Sequence, residues 1–284
     1  MNILYAIILG IVQGVPEFLP ISSTAHLTLT AKLLGLVDPV HPEAWTAFMA
    51  VMQLGTLTAV LVYFRKDIMV MAVSLFHDLF THGNGNGFRG YAQDSRLALF
   101  IGVGTLPVAV IGLAFKHVIE GALTKTTLVI AASLVTLALF LWLAEKVARH
   151  IRSLQQVGWA DALVIGCAQA LALIPGSSRS GTTMTAALFL GFTRETAARF
   201  SFLLSIPAVF ASGLYELSKV HGAFDLGIGN LAVATVVSGI FGYASIAWLL
   251  RYLMKNTTMI FVWYRILLGL TLAFLVYNGM FGLN

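Results

Sequence analysis

Two stretches of this sequence carry polar chemistry where their surroundings are apolar: "PEFLPISSTAH" at 16–26 and "PGSSRSGTT" at 175–183. Gln13 and Glu17 are four residues apart and share a helix face, so both aim towards the interruption that follows. His26 comes three residues after Ser23, near it on a second helix; the pair could supply a nucleophile and a base, or His26 could attack phosphorus itself. In the second stretch Arg179 stands among Ser177, Ser178, Ser180, Thr182 and Thr183. A guanidinium fork with clustered hydroxyls and backbone N–H groups matches phosphate oxygens better than it matches most ligands.

The elements that must position these residues are membrane helices. Of 284 residues, 58% are hydrophobic and 10% charged, against roughly 45–50% and 25% in soluble domains. Apolar runs long enough for a hydrocarbon core of about 30 Å occur near 44–64, 96–115, 124–144, 198–216, 229–250 and 259–282. Two further apolar regions, 1–36 and 159–192, are cut at Pro20 and at Pro175-Gly176. Each half is too short or too polar to cross, so each region reads as a helix-turn-helix that enters and leaves on one side. A charge inside the membrane costs roughly 2.5–3.5 kcal/mol unless paired or wet, so Glu17 and Arg179 mark a site; a structural salt bridge between them is the plainer account, and one pair can serve both ends.

The two cut regions repeat one another: "ILGIVQ", "FLPISS" and "LLGL" recur as "VIGCAQ", "LIPGSS" and "FLGF", with a one-residue slip between the glycine and the proline. Three expected crossings lie between the copies, so the second enters from the opposite side. With the 65–95 loop taken as cytoplasmic, that side collects eleven Lys and Arg residues and the other only Lys116, Lys125 and Lys219, which agrees with the positive-inside rule. The expectation is an all-α polytopic membrane protein: one domain over 1–284, six transmembrane helices and two re-entrant helix-turn-helix units in an inverted-topology repeat, approximately 1–115 and 156–250. In such repeats, broken helices meet near the midplane with free N-termini facing the ligand. Ser22 or Ser23 would cap one half-helix and Ser178 or Ser180 the other, and two facing N-termini suit an anion.

Other signals carry less. Cys167 is the only cysteine, which excludes an internal disulfide and a cysteine metal cluster, and it reads as a small apolar filler. The net charge of +5 sits at the ends of apolar segments and is no nucleic-acid footprint. The N-terminus lacks the basic start and small-residue cleavage pattern of a signal peptide. "GNGFRG" at 85–90 fits GxGxxG, but no strand precedes it, so it reads as a linker. Gly10 and Gly14 form a GxxxG helix-packing cue. His41, His77, His82, His117, His150 and His221 fall in loops or at segment ends, and Arg265 is left unassigned near the start of the last crossing, where it could snorkel or pair.

These motifs resemble those of the bacterial undecaprenyl-diphosphate phosphatase family, the integral membrane type associated with bacitracin resistance. The family pattern (Glu/Gln)-x-x-x-Glu stands here as Gln13 and Glu17, Phe-Leu-Pro-x-Ser-Ser-Thr-x-His as "FLPISSTAH", and Pro-Gly-x-Ser-Arg-Ser-x-x-Thr as "PGSSRSGTT". "VMQLGTLTAVLVYF" at 51–64 and "FSFLLSIP" at 200–207 extend the match over nearly the whole chain. The resemblance implies hydrolysis of undecaprenyl diphosphate to the monophosphate and inorganic phosphate, recycling the carrier lipid for peptidoglycan and other cell-wall polymers. It also implies a bacterial inner-membrane location with the active site facing the periplasm or outside, and a divalent cation, Mg²⁺ or Ca²⁺. Carried over by position, Glu17, Ser23, His26 and Arg179 are catalytic; Ser22, Ser178, Arg179, Ser180 and Thr183 hold phosphate; and Glu17, with Gln13 as a weaker candidate, holds the metal. Gln13 departs from the glutamate often found there, leaving one carboxylate on this helix. Partners would be the polyprenyl diphosphate and membrane lipids, with no nucleic acid; a homodimer is a possible state that the sequence does not decide. The nucleophile remains open among Ser23, His26 and a water, and a lipid-phosphate transporter or flippase is the alternative function.

Overall fold

The computed structural model describes residues 2–36, 42–81, 90–115, 126–218 and 228–279, with side chains described outside 42–47 and 216–218. His41, His82, His117 and His221, residues 85–89 of the GxGxxG-like stretch, and the counted charges Arg89, Lys116, Lys125 and Lys219 lie outside the described residues. Among those described there are eleven α-helices and no strand: α1 Ile3–Phe18, α2 Ser23–Leu33, α3 Pro42–Tyr63, α4 Arg65–Thr81, α5 Gln93–Ala114, α6 Thr127–Val147, α7 Trp159–Ala170, α8 Arg179–Phe189, α9 Arg194–Ser218, α10 Ile228–Leu253 and α11 Met259–Tyr277.

Five of them, α5, α6, α9, α10 and α11, are long and apolar enough to cross a membrane, and Ile3–Phe18, Phe48–Tyr63 and Trp159–Leu173 are shorter apolar helices. The outward faces stay apolar, with Leu106, Val110 and Leu113 of α5 and Trp263, Leu267 and Phe274 of α11 exposed. Polar solvent would penalise such faces and hydrocarbon would not, so the chain is an integral membrane protein. The expected crossing at 44–64 coincides with α3, whose described apolar part, Phe48–Tyr63, falls short of that length.

The 65–95 stretch, expected as a loop, holds α4. Met71 and Asp78 turn inward while Met69, Val73, Phe76 and Phe80 face out, a spacing of three and four that only a helix presents on one side. Asp78 accepts from Ser95 Oγ at 2.6 Å and Ala92 N at 2.7 Å, which satisfies the start of α5 and fastens α4 to it.

Proline decides where α1 and α7 stop. Leu19 precedes Pro20 and is extended at φ −69°, ψ 142°, and Ile174 precedes Pro175 and is extended at φ −80°, ψ 121°, because the proline ring clashes with a helical residue before it. The chain then turns and restarts. Ser22 caps α2 by accepting from Ala25 N at 3.3 Å, and Ser178 caps α8 by accepting from Gly181 N at 3.2 Å. Ser22 (φ 74°) and Ser178 (φ 68°) are both left-handed, a conformation costing a non-glycine residue roughly 1–2 kcal/mol.

The structural register of the two copies has no slip. The caps, 22 and 178, and the positive-φ glycines that close the helices, Gly35 and Gly191, are each 156 residues apart, and α2 and α8 are both 11 residues long. The prolines differ by one position, the caps do not. Ser23 therefore corresponds to Arg179, Gln13 to Gln169 and Glu17 to Leu173.

Packing follows the same pairing. α1 lies along α10 and α7 along α5, while α3 meets both α9 and α10, and α6 pairs with α11. The α1–α10 approach uses the GxxxG cue: a Cβ on Gly10 would stand 2.7 Å from Ala234 O, and one on Gly14 2.6 Å from Ser238 O and 2.9 Å from Gly242 N. Cys167 is exposed on α7 and fills no interior space.

Gly14→Val is accordingly expected to force α1 off a rigid backbone, at a cost of about 1–3 kcal/mol, read as a lowered unfolding temperature of the detergent-purified protein. Gly102→Val, where a Cβ would meet nothing within 4 Å, should leave that temperature unchanged.

Candidate active site

The two breaks share one cavity of about 210 Å³. Glu17, Ser22 and Ser23 reach it from the first break, Ser178 and Arg179 from the second, and Gln53 and Gln169 from α3 and α7. Val108 of α5 and Ala208 and Val209 of α9 add apolar wall. A polar floor with an apolar side suits a molecule that is itself polar at one end.

Glu17 is 7% exposed and both its oxygens are engaged. Oε1 accepts from Arg179 Nη2 at 2.8 Å. Oε2 accepts from Ser23 Oγ at 2.6 Å and from Gln13 Nε2 at 3.1 Å, the last being the i, i+4 contact the sequence spacing implies. The ion pair spans the two copies, so it fastens one break to the other. It does not use up the arginine: Arg179 Nη1 is buried with no partner among the described residues.

The expected Ser23–His26 pair does not form. Ser23 is the first residue of α2 and turns back to Glu17. His26 Nδ1 lies 2.7 Å from Ser22 O, and Nε2 lies 2.6 Å from Tyr264 Oη. The carbonyl can only accept, so Nδ1 carries the proton, and Nε2 accepts from the tyrosine hydroxyl. The two rings stack at 5.6 Å and 7°. His26 is outside the cavity lining and ties the Ser22–Ser23 turn to α11.

Of the expected phosphate-binding residues, Ser22, Ser178 and Arg179 reach the cavity, and two do not. Ser180 donates to Leu19 O at 3.0 Å, across to the first break. Thr183, 0% exposed, donates to Arg179 O at 2.8 Å and pairs with Ser201 Oγ at 2.6 Å. Their hydroxyls are engaged in fixing α8 against its neighbours. Ser178, not Ser180, is the cap, and Ser22, not Ser23, is its counterpart.

Arg265, expected to snorkel or pair near the end of its helix, is 0% exposed. It donates to carbonyls of both breaks, Pro20 O at 3.4 Å, Gly176 O at 3.4 Å and Ser177 O at 3.0 Å, and to Ser133 O and Leu134 O of α6 at 3.5 and 3.3 Å. Arg265 is visible in sequence as a charge in an apolar run, with no spacing to say what it pairs, while Tyr264 beside it gives no signal. Gln169 had a visible signal, its match to Gln13 in the repeat.

A family model described as "Bacitracin resistance protein BacA" matches residues 6–271. The chain belongs to the BacA family. A protein of Syntrophobacter fumaroxidans named "Undecaprenyl-diphosphatase" is 50% identical over 282 residues, covering 98% of this chain and 99% of that relative. Proteins of the same name from Chloroherpeton thalassium and Chlorobium phaeobacteroides are 50% and 48% identical over 289 residues, each over 98% of this chain. The BacA match takes in both breaks and the Tyr264-Arg265 pair, so the whole site lies inside it.

Breaking the buried ion pair from one side leaves an uncompensated charge. Glu17→Gln is expected to lower stability by about 3 kcal/mol, measured by thermal unfolding in detergent, and adding Arg179→Gln to the same chain should restore most of the loss.

Proposed function

We propose that this chain hydrolyses undecaprenyl diphosphate to undecaprenyl phosphate and inorganic phosphate, returning the carrier lipid to the synthesis of peptidoglycan and other cell-wall polymers and so conferring bacitracin resistance. The observation that carries the reading is Ser23 Oγ at 2.6 Å from Glu17 Oε2, beside Arg179 in a cavity fed by two helix N-termini. A lipid-phosphate transporter or flippase would need the anion site; it would not need a hydroxyl held against a carboxylate.

The terminal phosphate sits against the free N–H groups of α2 and α8 and the unpaired Nη1 of Arg179, donors already aimed before the substrate arrives. Ser23 Oγ attacks the terminal phosphorus, its proton passes to Glu17 Oε2, the bridging P–O bond breaks and undecaprenyl phosphate leaves. Water then attacks the phosphoserine phosphorus, the P–Oγ bond breaks, Glu17 returns its proton to Oγ, and the water's protons leave with inorganic phosphate. His26 is a positioning residue: with Tyr264 it holds the turn that presents Ser22 and Ser23. The prenyl chain lies in the bilayer and enters from the side, along the apolar wall.

For a divalent cation, Mg²⁺ or Ca²⁺, the donors are few. Among the described residues no three His, Cys, Asp or Glu side chains gather. The breaks offer the Glu17 carboxylate and Gln13 Oε1, which is buried with no partner. One carboxylate plus substrate phosphate oxygens is a usual way to hold Mg²⁺; Glu17 lines the cavity and would fit such a cation on exchanging one of its present partners, whereas Gln13 lies outside the cavity lining and could support it only through Glu17. When bound, it would supply charge neutralisation on the phosphates.

We read α1–α2 and α7–α8 as re-entrant units of an inverted repeat, with α3 as the sixth crossing and α4 lying at the membrane surface. What supports this is the shared 156-residue register and the matched packing of α1 on α10 and α7 on α5. In this reading the repeats extend to α6 and α11, beyond the 115 and 250 boundaries. The location is the bacterial inner membrane, with the cavity opening outward to the periplasm.

Purified protein in detergent has no compartments to transport between, so phosphate release there tests cleavage alone. The parent chain is expected to release phosphate from undecaprenyl diphosphate and Ser23→Ala to fall to the rate without protein while unfolding at the same temperature. Parent-like turnover in Ser23→Ala would remove the nucleophile, and no turnover in the parent would favour transport.

A further inference from the structure

Gln169 is 1% exposed and lines the cavity, yet neither its Nε2 nor its Oε1 has a hydrogen-bond partner among the described residues. A buried carboxamide left unsatisfied costs roughly 1–3 kcal/mol for each unpaired group, so a protein keeps one only where something else completes it. The repeat explains how it arose. In the first copy, Gln13 donates Nε2 to Glu17 Oε2 at 3.1 Å. The residues at the same register in the second copy are Gln169 and Leu173, and a leucine accepts nothing. The second glutamine thus lacks the carboxylate that its counterpart holds, and it lines the cavity with its buried amide unpaired.

The other orphaned donor at this cavity is Arg179 Nη1. We infer that Gln169 is a substrate-binding residue, whose Nε2 donates to a non-bridging oxygen of the diphosphate head group alongside Arg179 Nη1. The inference rests on the hydrolase reading above and deepens it, naming where the substrate's phosphates gain a neutral donor from α7. The carboxamide oxygen is left for a water entering with the charged head group. A neutral donor is suited to this place. It binds phosphate oxygen without adding a second cation near Arg179, and without a carboxylate that would repel the substrate.

The test compares the parent chain with Gln169→Leu and Gln169→Glu in detergent, using undecaprenyl diphosphate as substrate and inorganic pyrophosphate as a competitive, head-group-only inhibitor. Gln169→Leu keeps the volume and removes the donor. It should lower kcat/KM about 10- to 100-fold, the range for a hydrogen bond to a charged group. It should also weaken pyrophosphate inhibition by a similar factor, while the unfolding temperature holds or rises because the unpaired amide is gone. Gln169→Glu should lose more, since it faces the phosphates with a negative charge. Parent-like kcat/KM and pyrophosphate inhibition in both variants would overturn the inference, as would a loss of kcat/KM with pyrophosphate inhibition intact. If the parent itself released no phosphate, the hydrolase reading would fail; pyrophosphate binding by calorimetry would then still decide whether Gln169 holds the head group.

Discussion

Two helices that break off among buried residues leave backbone carbonyls and N–H groups without helical partners, and Arg265 satisfies the carbonyl half of them. Its guanidinium, wholly buried and in no ion pair among the described residues, donates to carbonyls at both breaks and on α6. The carbonyl side of each interruption is thereby paired by one side chain from a third element, α11. The N–H side is paired only partly, by the caps Ser22 and Ser178. Hydrocarbon tolerates irregular backbone only where it is buried or lines a cavity, and this asymmetry, with the carbonyls paired and the N–H groups only partly so, is what the proposed anion site rests on.

The ion pair between Glu17 and Arg179 joins the same two breaks. It couples the copies, which Arg265 also does, and it divides the chemistry between them. The first copy brings the hydroxyl and its carboxylate, the second brings the cation. Ser23 and Arg179 occupy the same register in the two copies, so one structural position carries the hydroxyl held by Glu17 in the first copy and the guanidinium that pairs with Glu17 in the second. The left-handed serines before them are the local expense of aiming both helix starts at one point, and strain of that kind gathers at functional sites.

Much of this was legible in the sequence, for physical reasons. Pro20 and Pro175 are each followed within three residues by serines that can cap a new helix, so both breaks could be located, whereas Pro16, Pro107 and Pro207 lie inside helices that continue through them; charges in apolar segments are costly, so Glu17 and Arg179 stood out; and the Gly10–Gly14 spacing announced close helix packing. Most of what was missed depended on three dimensions. The helical spacing of Met69, Val73, Phe76 and Phe80 in α4 is present in the sequence, masked by its place between two crossings where a loop is expected; its attachment to α5 through Asp78 and Ser95 is what the sequence could not show. Tyr264 lies 238 positions from His26, and Arg265, visible as a charge in an apolar run but with no assignable partner there, lies between 88 and 245 positions from the carbonyls it pairs. The spacing of Ser23 and His26 made them look like a pair, but both sit at the first turn of α2, where Ser23 reaches back to Glu17 and His26 outward to α11. Thr183, expected at the phosphate, has its hydroxyl bonded to Arg179 O and Ser201 Oγ, contacts that the motif spacing does not disclose.

The central claim is that the breaks form one hydrolytic site in which Glu17 arms Ser23 against a phosphate held by Arg179. Its most direct test is rapid quenching in neutral denaturant, which preserves phosphoserine and phosphohistidine alike, during turnover of undecaprenyl diphosphate labelled in the terminal phosphate, followed by mapping of the labelled residue. The account predicts a transient phosphoserine at Ser23 that forms and decays at the rate of phosphate release. Label on His26, or phosphate released with no label on the protein at any quench time, would contradict it.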